Sequence, residues 1–275
     1  MPVIVETLNN FKVYKGSKIK LKKMGQIAEL KYISNCNQKA YTRKINRDEY
    51  ILLETGEILN YKHSENRSQN VDGIRQSISR LRDLINNNFK GGKNELWITL
   101  TFGKNKIYNP KDLCAYFEDF IKRLRYYCKG QKIDYIYVPE PHEKGDWHIH
   151  LLLKTNKNNF YISNKKLNEL WQNGFVKVNR LKDVDNIGAY VSAYLINIKE
   201  GETTKKGARL YLYPTGHRLY RYSRGILPPV IEEIEYVEAK KILKKSVCTY
   251  EKTIKIETEK GFKNLIKYEH YKFER

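Results

Sequence analysis

The run Tyr135-Ile136-Tyr137-Val138-Pro139-Glu140-Pro141-His142-Glu143-Lys144-Gly145-Asp146-Trp147-His148-Ile149-His150-Leu151-Leu152-Leu153 sets two apolar, β-prone segments on either side of a polar turn at Lys144-Gly145-Asp146. The connection is too short for a crossover, so the two segments pair as an antiparallel hairpin. Residues two apart on a strand share a face, which puts the imidazoles of His148 and His150 side by side and turns Ile149 and Leu151 to a core. Glu140 ends the first strand, across the hairpin, where its carboxylate completes a three-point site. Two imidazoles and a carboxylate with open coordination positions suit a catalytic divalent ion rather than a closed structural one. The mixed nitrogen and oxygen set accepts Mg²⁺ or Mn²⁺, with Mn²⁺ better matched to imidazole. His142 and Glu143 are possible further ligands but fit the turn better, and His63, His217 and His270 have no partners nearby in sequence.

Upstream, Glu95 to Phe102 is rich in β-branched and aromatic residues and stops at Gly103, which predicts a strand. Asn109 is then expected to cap a helix with Pro110 at its first position and an apolar stripe of Leu113, Phe117, Phe120, Ile121 and Leu124. Downstream, Ser163 caps a second helix that buries Leu167, Leu170 and Trp171 and ends at Gly174; a strand over 175–178 and a helix over about 185–199 follow. The order β-α-β-β-α-β is that of a split βαβ, ferredoxin-like or RRM-like antiparallel sheet with helices on one face, an α+β fold. A helix over 71–89 precedes it, with Ile74, Ile78, Leu81, Leu84 and Ile85 at helical spacing. Short strand-like runs at Phe11–Tyr14 and Ala28–Ile33 belong to a β-rich N-terminal extension. Beyond Pro228-Pro229, a short helix and a hairpin turning at Lys260-Gly261 are expected. The divisions are thus 1–65, 66–230 and 231–275, the outer two being additions to the central domain.

Fifty-two Lys and Arg against 31 Asp and Glu leave a net charge of +21 in 275 residues, a bias that points to a nucleic-acid partner. The 40 % apolar content excludes a disordered chain. No apolar run of about 18 residues predicts a membrane span, and the first residues do not resemble a signal peptide. Cys36, Cys114, Cys128 and Cys248 are widely spaced and form no Cys-x-x-Cys pair, so a reduced, cytoplasmic protein is expected.

Three motifs in order carry a resemblance: Trp97-Ile-Thr-Leu-Thr-Phe102, the Glu140 to Leu153 hairpin, and Gly188-Ala-Tyr-Val-Ser-Ala-Tyr-Leu195, with Tyr190 and Tyr194 spaced to share one helix face. Together they resemble the HUH endonucleases, in particular the rolling-circle replication initiators of plasmids and phages. The tract Tyr220-Arg-Tyr-Ser-Arg-Gly-Ile226 followed by Pro228 is similar to the segment after the third motif in such proteins. The resemblance covers about residues 71–229. It implies an HUH endonuclease fold in which Glu140, His148 and His150 bind the metal and a tyrosine attacks single-stranded origin DNA. That step gives a 5′-phosphotyrosine link and a free 3′-OH that primes synthesis, in a host cell whose helicase joins in.

Carried over residue by residue, Tyr190 and Tyr194 match the family's tyrosine pair. The family often places lysines three residues after each tyrosine, where this chain has Ala193 and Asn197; Lys199 is the nearest lysine and joins the catalytic set. Tyr190, at the first position of the pair, is favoured as nucleophile. Lys205, Lys206, Arg209, Arg218, Arg221 and Arg224 are expected to contact DNA, with Tyr211, Tyr213, Tyr220 and Tyr222 offering rings to unstacked bases. The competing reading is a non-catalytic RRM-like module that binds single strands through Trp97, Tyr135 and Tyr137 exposed on central strands. A transposase or conjugative relaxase shares the family's chemistry; the lack of a Walker loop and of room for a helicase domain favours an initiator.

Overall fold

A computed structural model describes residues 3–35, 41–63, 67–181, 187, 188, 191, 209–258 and 262–273. In chain order, the strands β1 (Val3–Leu8), β2 (Lys18–Met24), β3 (Ile27–Ile33), β4 (Thr42–Lys44), β5 (Glu49–Leu52) and β6 (Ile58–Asn60) come first. Helix α1 (Val71–Asn88), β7 (Glu95–Phe102), α2 (Leu113–Tyr127), β8 (Ile133–Pro141), β9 (Trp147–Thr155), α3 (Asn164–Trp171), β10 (Gly174–Arg180) and β11 (Arg221–Tyr222) follow. The chain closes with β12 (Val230–Glu235), α4 (Tyr236–Ile242), β13 (Ser246–Thr258) and β14 (Lys263–Phe273). It divides into two compact units, one of residues 1–23, 27–64 and 230–275 and the other of residues 24–26 and 65–229. No helix among the described residues is long and apolar enough to cross a membrane.

The first unit is built on a six-stranded sheet of order β1-β13-β14-β3-β2-β12, so strands from both ends of the chain share one sheet. Alternation explains its inner face: on β2, Ile19 and Leu21 are buried while Lys18 and Lys20 stay exposed. β4, β5 and β6 form a separate three-stranded sheet. The strand expected over Phe11–Tyr14 is absent. Phe11 packs on Tyr32 and Val13 is buried, but the chain turns just after them, where the Ser17 amide donates to the Tyr14 carbonyl at 3.0 Å.

The second unit is an α+β fold on a five-stranded antiparallel sheet of order β10-β7-β9-β8-β11. With β7, β8, β9 and β10 taken in chain order, this is the split βαβ arrangement read from the sequence. α2 and α3 pack on one face, where Phe117, Phe120, Ile121, Leu167 and Trp171 bury Ile98, Leu100, Ile149 and Leu151. α1 packs on the other face: Leu81, Leu84 and Ile85 join Trp97, Val138 and Leu152. Asn70 caps α1 through the Gly73 amide, and Ser163 caps α3 through the Lys166 amide.

Two helix ends differ from expectation. Asn109 does not cap α2: its side chain accepts from the Lys111 amide and its carbonyl from the Asp112 amide, closing a turn, and the helix begins only at Leu113. α3 ends at Trp171 with Gln172, not a glycine, in the left-handed region at φ 64°; Gly174 instead opens β10, which runs on to Arg180. The basic tract contributes β11, which pairs with β8 at Tyr137 and Ile136.

Candidate metal centre

Register places the site. Glu140 on β8 lies opposite His148 on β9, and His150 lies opposite Val138 on β8 and Thr99 on β7. The connecting turn is closed by the His142 amide donating to the Asp146 carbonyl at 2.6 Å, with Gly145 at φ 84°, a conformation that side chains disfavour. Because β9 is central, its alternation sends Ile149 and Leu151 into the core under α2 and α3 and turns both histidines to the other face.

The three side chains converge. His148 Nε2 and His150 Nε2 are 2.9 Å apart, and Glu140 Oε2 is 2.6 Å from His150 Nε2 and 3.3 Å from His148 Nε2. A divalent ion with bonds of about 2.1 Å at right angles holds neighbouring donors about 3.0 Å apart, so this triangle matches one face of an octahedron. Neutral imidazoles supply at most one Nε2 proton each, and a nitrogen that donates to Glu140 cannot also satisfy its neighbour. A cation against the three lone pairs resolves the conflict. The donor set therefore fits a divalent metal, and Glu140, His148 and His150 are the group among the described residues that could hold one.

Electrostatics agree. Burial opposes ionisation of Glu140, but hydrogen bonds and charge from His148 and His150 outweigh it and hold the carboxyl down at about 2. Burial lowers His148 below the ordinary 6.5 against the opposing pull of Glu140, so its ring is neutral and able to coordinate at neutral pH. His142, read as a turn residue, stacks on His148 with ring centroids 4.1 Å apart. Thr99 was missed: its hydroxyl lies 3.4 Å from His150 Nδ1, the nitrogen that points away from Glu140. The signal for it was present in the alternation of β7, but only the pairing of β7 with β9 gives it meaning.

Of the basic residues expected to meet DNA, Arg209 donates to the carbonyl of Pro141, the residue that follows Glu140, at 2.9 Å. Arg218, Arg221 and Arg224 are exposed. Tyr213 is withdrawn from the expected set of base-stacking rings: it is buried edge-on against Trp147, and its hydroxyl donates to the Pro139 carbonyl at 2.7 Å. Tyr211 and Tyr222 remain exposed. The aromatic platform of the RRM-like reading is not presented by its three residues: Trp97 is buried beside α1, and Tyr137 and the half-buried Tyr135 pack under α2 with rings 4.0 and 5.1 Å from that of Phe117.

Tyr190, Tyr194, Lys199, Lys205 and Lys206 lie outside the described residues, as does the Lys260-Gly261 turn. Their neighbours Ile187 and Val191 are described and join the cluster of Trp97, Val138 and Leu152 on the metal-centre face of the sheet. Gly188 donates its amide to Asn86 Oδ1 at 2.7 Å; a Cβ there would meet the Arg82 carbonyl at 2.5 Å, so only glycine lets this segment lie so close to α1.

Residues 95–199 match the family model of the replication-associated protein ORF2/G2P, which is consistent with a rolling-circle replication initiator. No curated protein matches the chain.

Proposed function

We propose that this protein is a metal-dependent endonuclease and ligase that nicks single-stranded DNA at a replication origin through a 5′-phosphotyrosine intermediate, initiating rolling-circle replication. The observation that carries the reading is the convergence of Glu140, His148 and His150 on one point of the sheet face. A divalent ion, Mg²⁺ or Mn²⁺, supplies Lewis acidity to the scissile phosphate when bound there. Thr99 orients His150, and Arg209 adds positive charge beside the phosphate. The hydroxyl of Tyr190 or Tyr194 forms the new bond to phosphorus, and the 3′ oxygen leaves with a proton, with Lys199 nearby in sequence to stabilise charge. Because one ester replaces another, the 3′-OH can later reverse the step and rejoin the strand without ATP. The burial of Ile187 and Val191 on the metal-centre face supports a nucleophile brought in from that segment. The remaining basic residues hold the strand, and a host helicase opens the duplex ahead of it.

The test is covalent trapping. The protein, an origin-derived single strand and Mn²⁺ should give a DNA adduct that survives denaturing electrophoresis and disappears with chelator. Tyr190→Phe should lose most of the adduct, and the double variant with Tyr194→Phe all of it. Full adduct from the double variant would remove this chemistry.

A further inference from the structure

β10 is an edge strand of the five-stranded sheet, and its pairing with β7 continues the rows that hold the metal centre. Phe175 lies opposite Thr101, which lies opposite His148, which lies opposite Glu140. One step along, Lys177, Thr99 and His150 form the next row. Directly paired residues project from the same face, so Phe175 and Lys177 stand on the face that carries the metal centre. Phe175 is 72 % exposed and Lys177 is exposed, whereas Val176 between them turns into the core. Thr99 and Thr101 form a low floor between the aromatic-basic pair and the histidines.

A single exposed phenylalanine is ordinary; one held rigidly in register with a phosphate-directed site is not. The start of β10 is fixed on several sides. The Gly103 amide donates to the Asn173 carbonyl at 2.8 Å, the Val176 amide to Asn168 Oδ1 at 2.8 Å, and the Trp171 indole to the Thr101 carbonyl at 3.1 Å. With strands about 4.8 Å apart, Phe175 stands roughly 10 Å from the His148 row position, on the order of two nucleotides of an unstacked strand. Phe175 and Lys177 are separated by about 6.7 Å along the strand, a spacing suited to a ring under a base and a cation at its phosphate.

We infer that Phe175, with Lys177 beside it, is a stacking platform for an unpaired nucleobase of the same strand whose phosphate reaches Glu140, His148 and His150. The inference rests on the proposed reading for the identity of that strand, but binding without metal tests it separately. In chelator, a fluorescein-labelled 12-mer of deoxythymidine is titrated with the full chain and followed by anisotropy. Phe175→Ala should weaken binding on the order of tenfold with an unchanged salt slope, and Phe175→Trp should restore it. Lys177→Gln should flatten the slope of log affinity against log salt by about 0.7. Far-ultraviolet circular dichroism and melting should match the parent in each case. Binding by Phe175→Ala within twofold of the parent, equal losses for Ala and Trp, or a parent that does not bind the 12-mer would each overturn the platform. A parent that binds through Phe175 yet forms no adduct with Mn²⁺ would instead leave the platform standing and overturn nicking.

Discussion

Each unit holds an ionised glutamate among side-chain partners on a sheet, and the two are put to opposite uses. In the first unit, Glu269 is closed off, its side chain 3 % exposed. It accepts from Tyr236 at 2.8 Å, from Lys240 at 3.0 Å and from Tyr271, and Lys267 lies 3.4 Å away. Burial opposes its ionisation, and those donors overcome it and lower its pKa. In the second unit, Glu140 is also held ionised, but its partners are two imidazoles that offer lone pairs as readily as protons, and its side chain keeps 20 % exposure. Lysines and tyrosines complete a carboxylate; converging histidines leave it in need of a cation. Burial of an acid is thus no sign of a metal site, whereas the chemistry of its neighbours is.

The largest effects should separate the two glutamates outright. Glu140→Ala, His148→Ala or His150→Ala each removes one donor, and adduct formation should fall at least on the order of a thousandfold, with loss of the Mn²⁺-induced rise in melting temperature. Glu269→Ala should leave both properties intact and lower the unfolding free energy by roughly 3 kcal/mol in urea titrations, because Lys240 and two tyrosines lose their shared acceptor and Lys267 loses a neighbouring charge. Lys267 keeps Glu251 at 2.6 Å and the Phe11 carbonyl at 2.8 Å, which holds the cost toward the lower end. A Glu269 variant that loses metal response, or a Glu140 variant that keeps it, would break the contrast.

Acid should dissect the same pair in two windows. His148 is lowered in the folded chain, so the unfolded chain takes up its proton first, and without metal stability should fall as pH drops below 6.5. Glu140 and Glu269 are lowered from 4.5, so the stability they contribute is present above that pH and is lost as pH falls through their folded values, about 2 for Glu140. His148→Asn should flatten the first window and Glu269→Gln part of the second, read from urea midpoints across pH. At about a hundredfold excess over its dissociation constant, Mn²⁺ should add about 2.7 kcal/mol at neutral pH, and this gain should fade in the first window as protons compete for nitrogen. Rising stability between pH 6.5 and 5 would contradict the lowered His148.

The contrast also marks what a sequence discloses. Glu140, His148 and His150 were legible because the hairpin is local: period two and a short turn fix which side chains meet. The strand order of the second unit followed from helix and strand periodicity for the same reason. Glu269 drew no notice, since its partners Tyr236 and Lys240 lie about thirty residues away and the sheet that unites them joins both ends of the chain. Tyr213 misled because a tyrosine among arginines reads as a surface ring, while its burial depends on Trp147, far upstream. Asn109 and Gly174 misled at helix ends, where one side-chain hydrogen bond decides between a cap and a turn.

The smallest effect should come from Thr99, and it sharpens the comparison because it tests whether the metal-directed cluster is held as firmly as the closed one. A ligand imidazole needs its remote nitrogen committed, so that the proton rests on Nδ1 and the lone pair on Nε2. For His150 the Thr99 hydroxyl provides that commitment at 3.4 Å, a long contact, and the neighbouring Trp97 ring edge limits how far the imidazole can swing. Thr99→Val keeps the shape and removes the acceptor, so Mn²⁺ affinity by calorimetry should fall by about tenfold, the low end for such partners, with melting in chelator nearly unchanged. Thr99→Ser should recover most of it. If Val and Ser weaken Mn²⁺ alike, packing by Trp97 rather than the hydroxyl orients His150, and the octahedral face is set by the sheet alone.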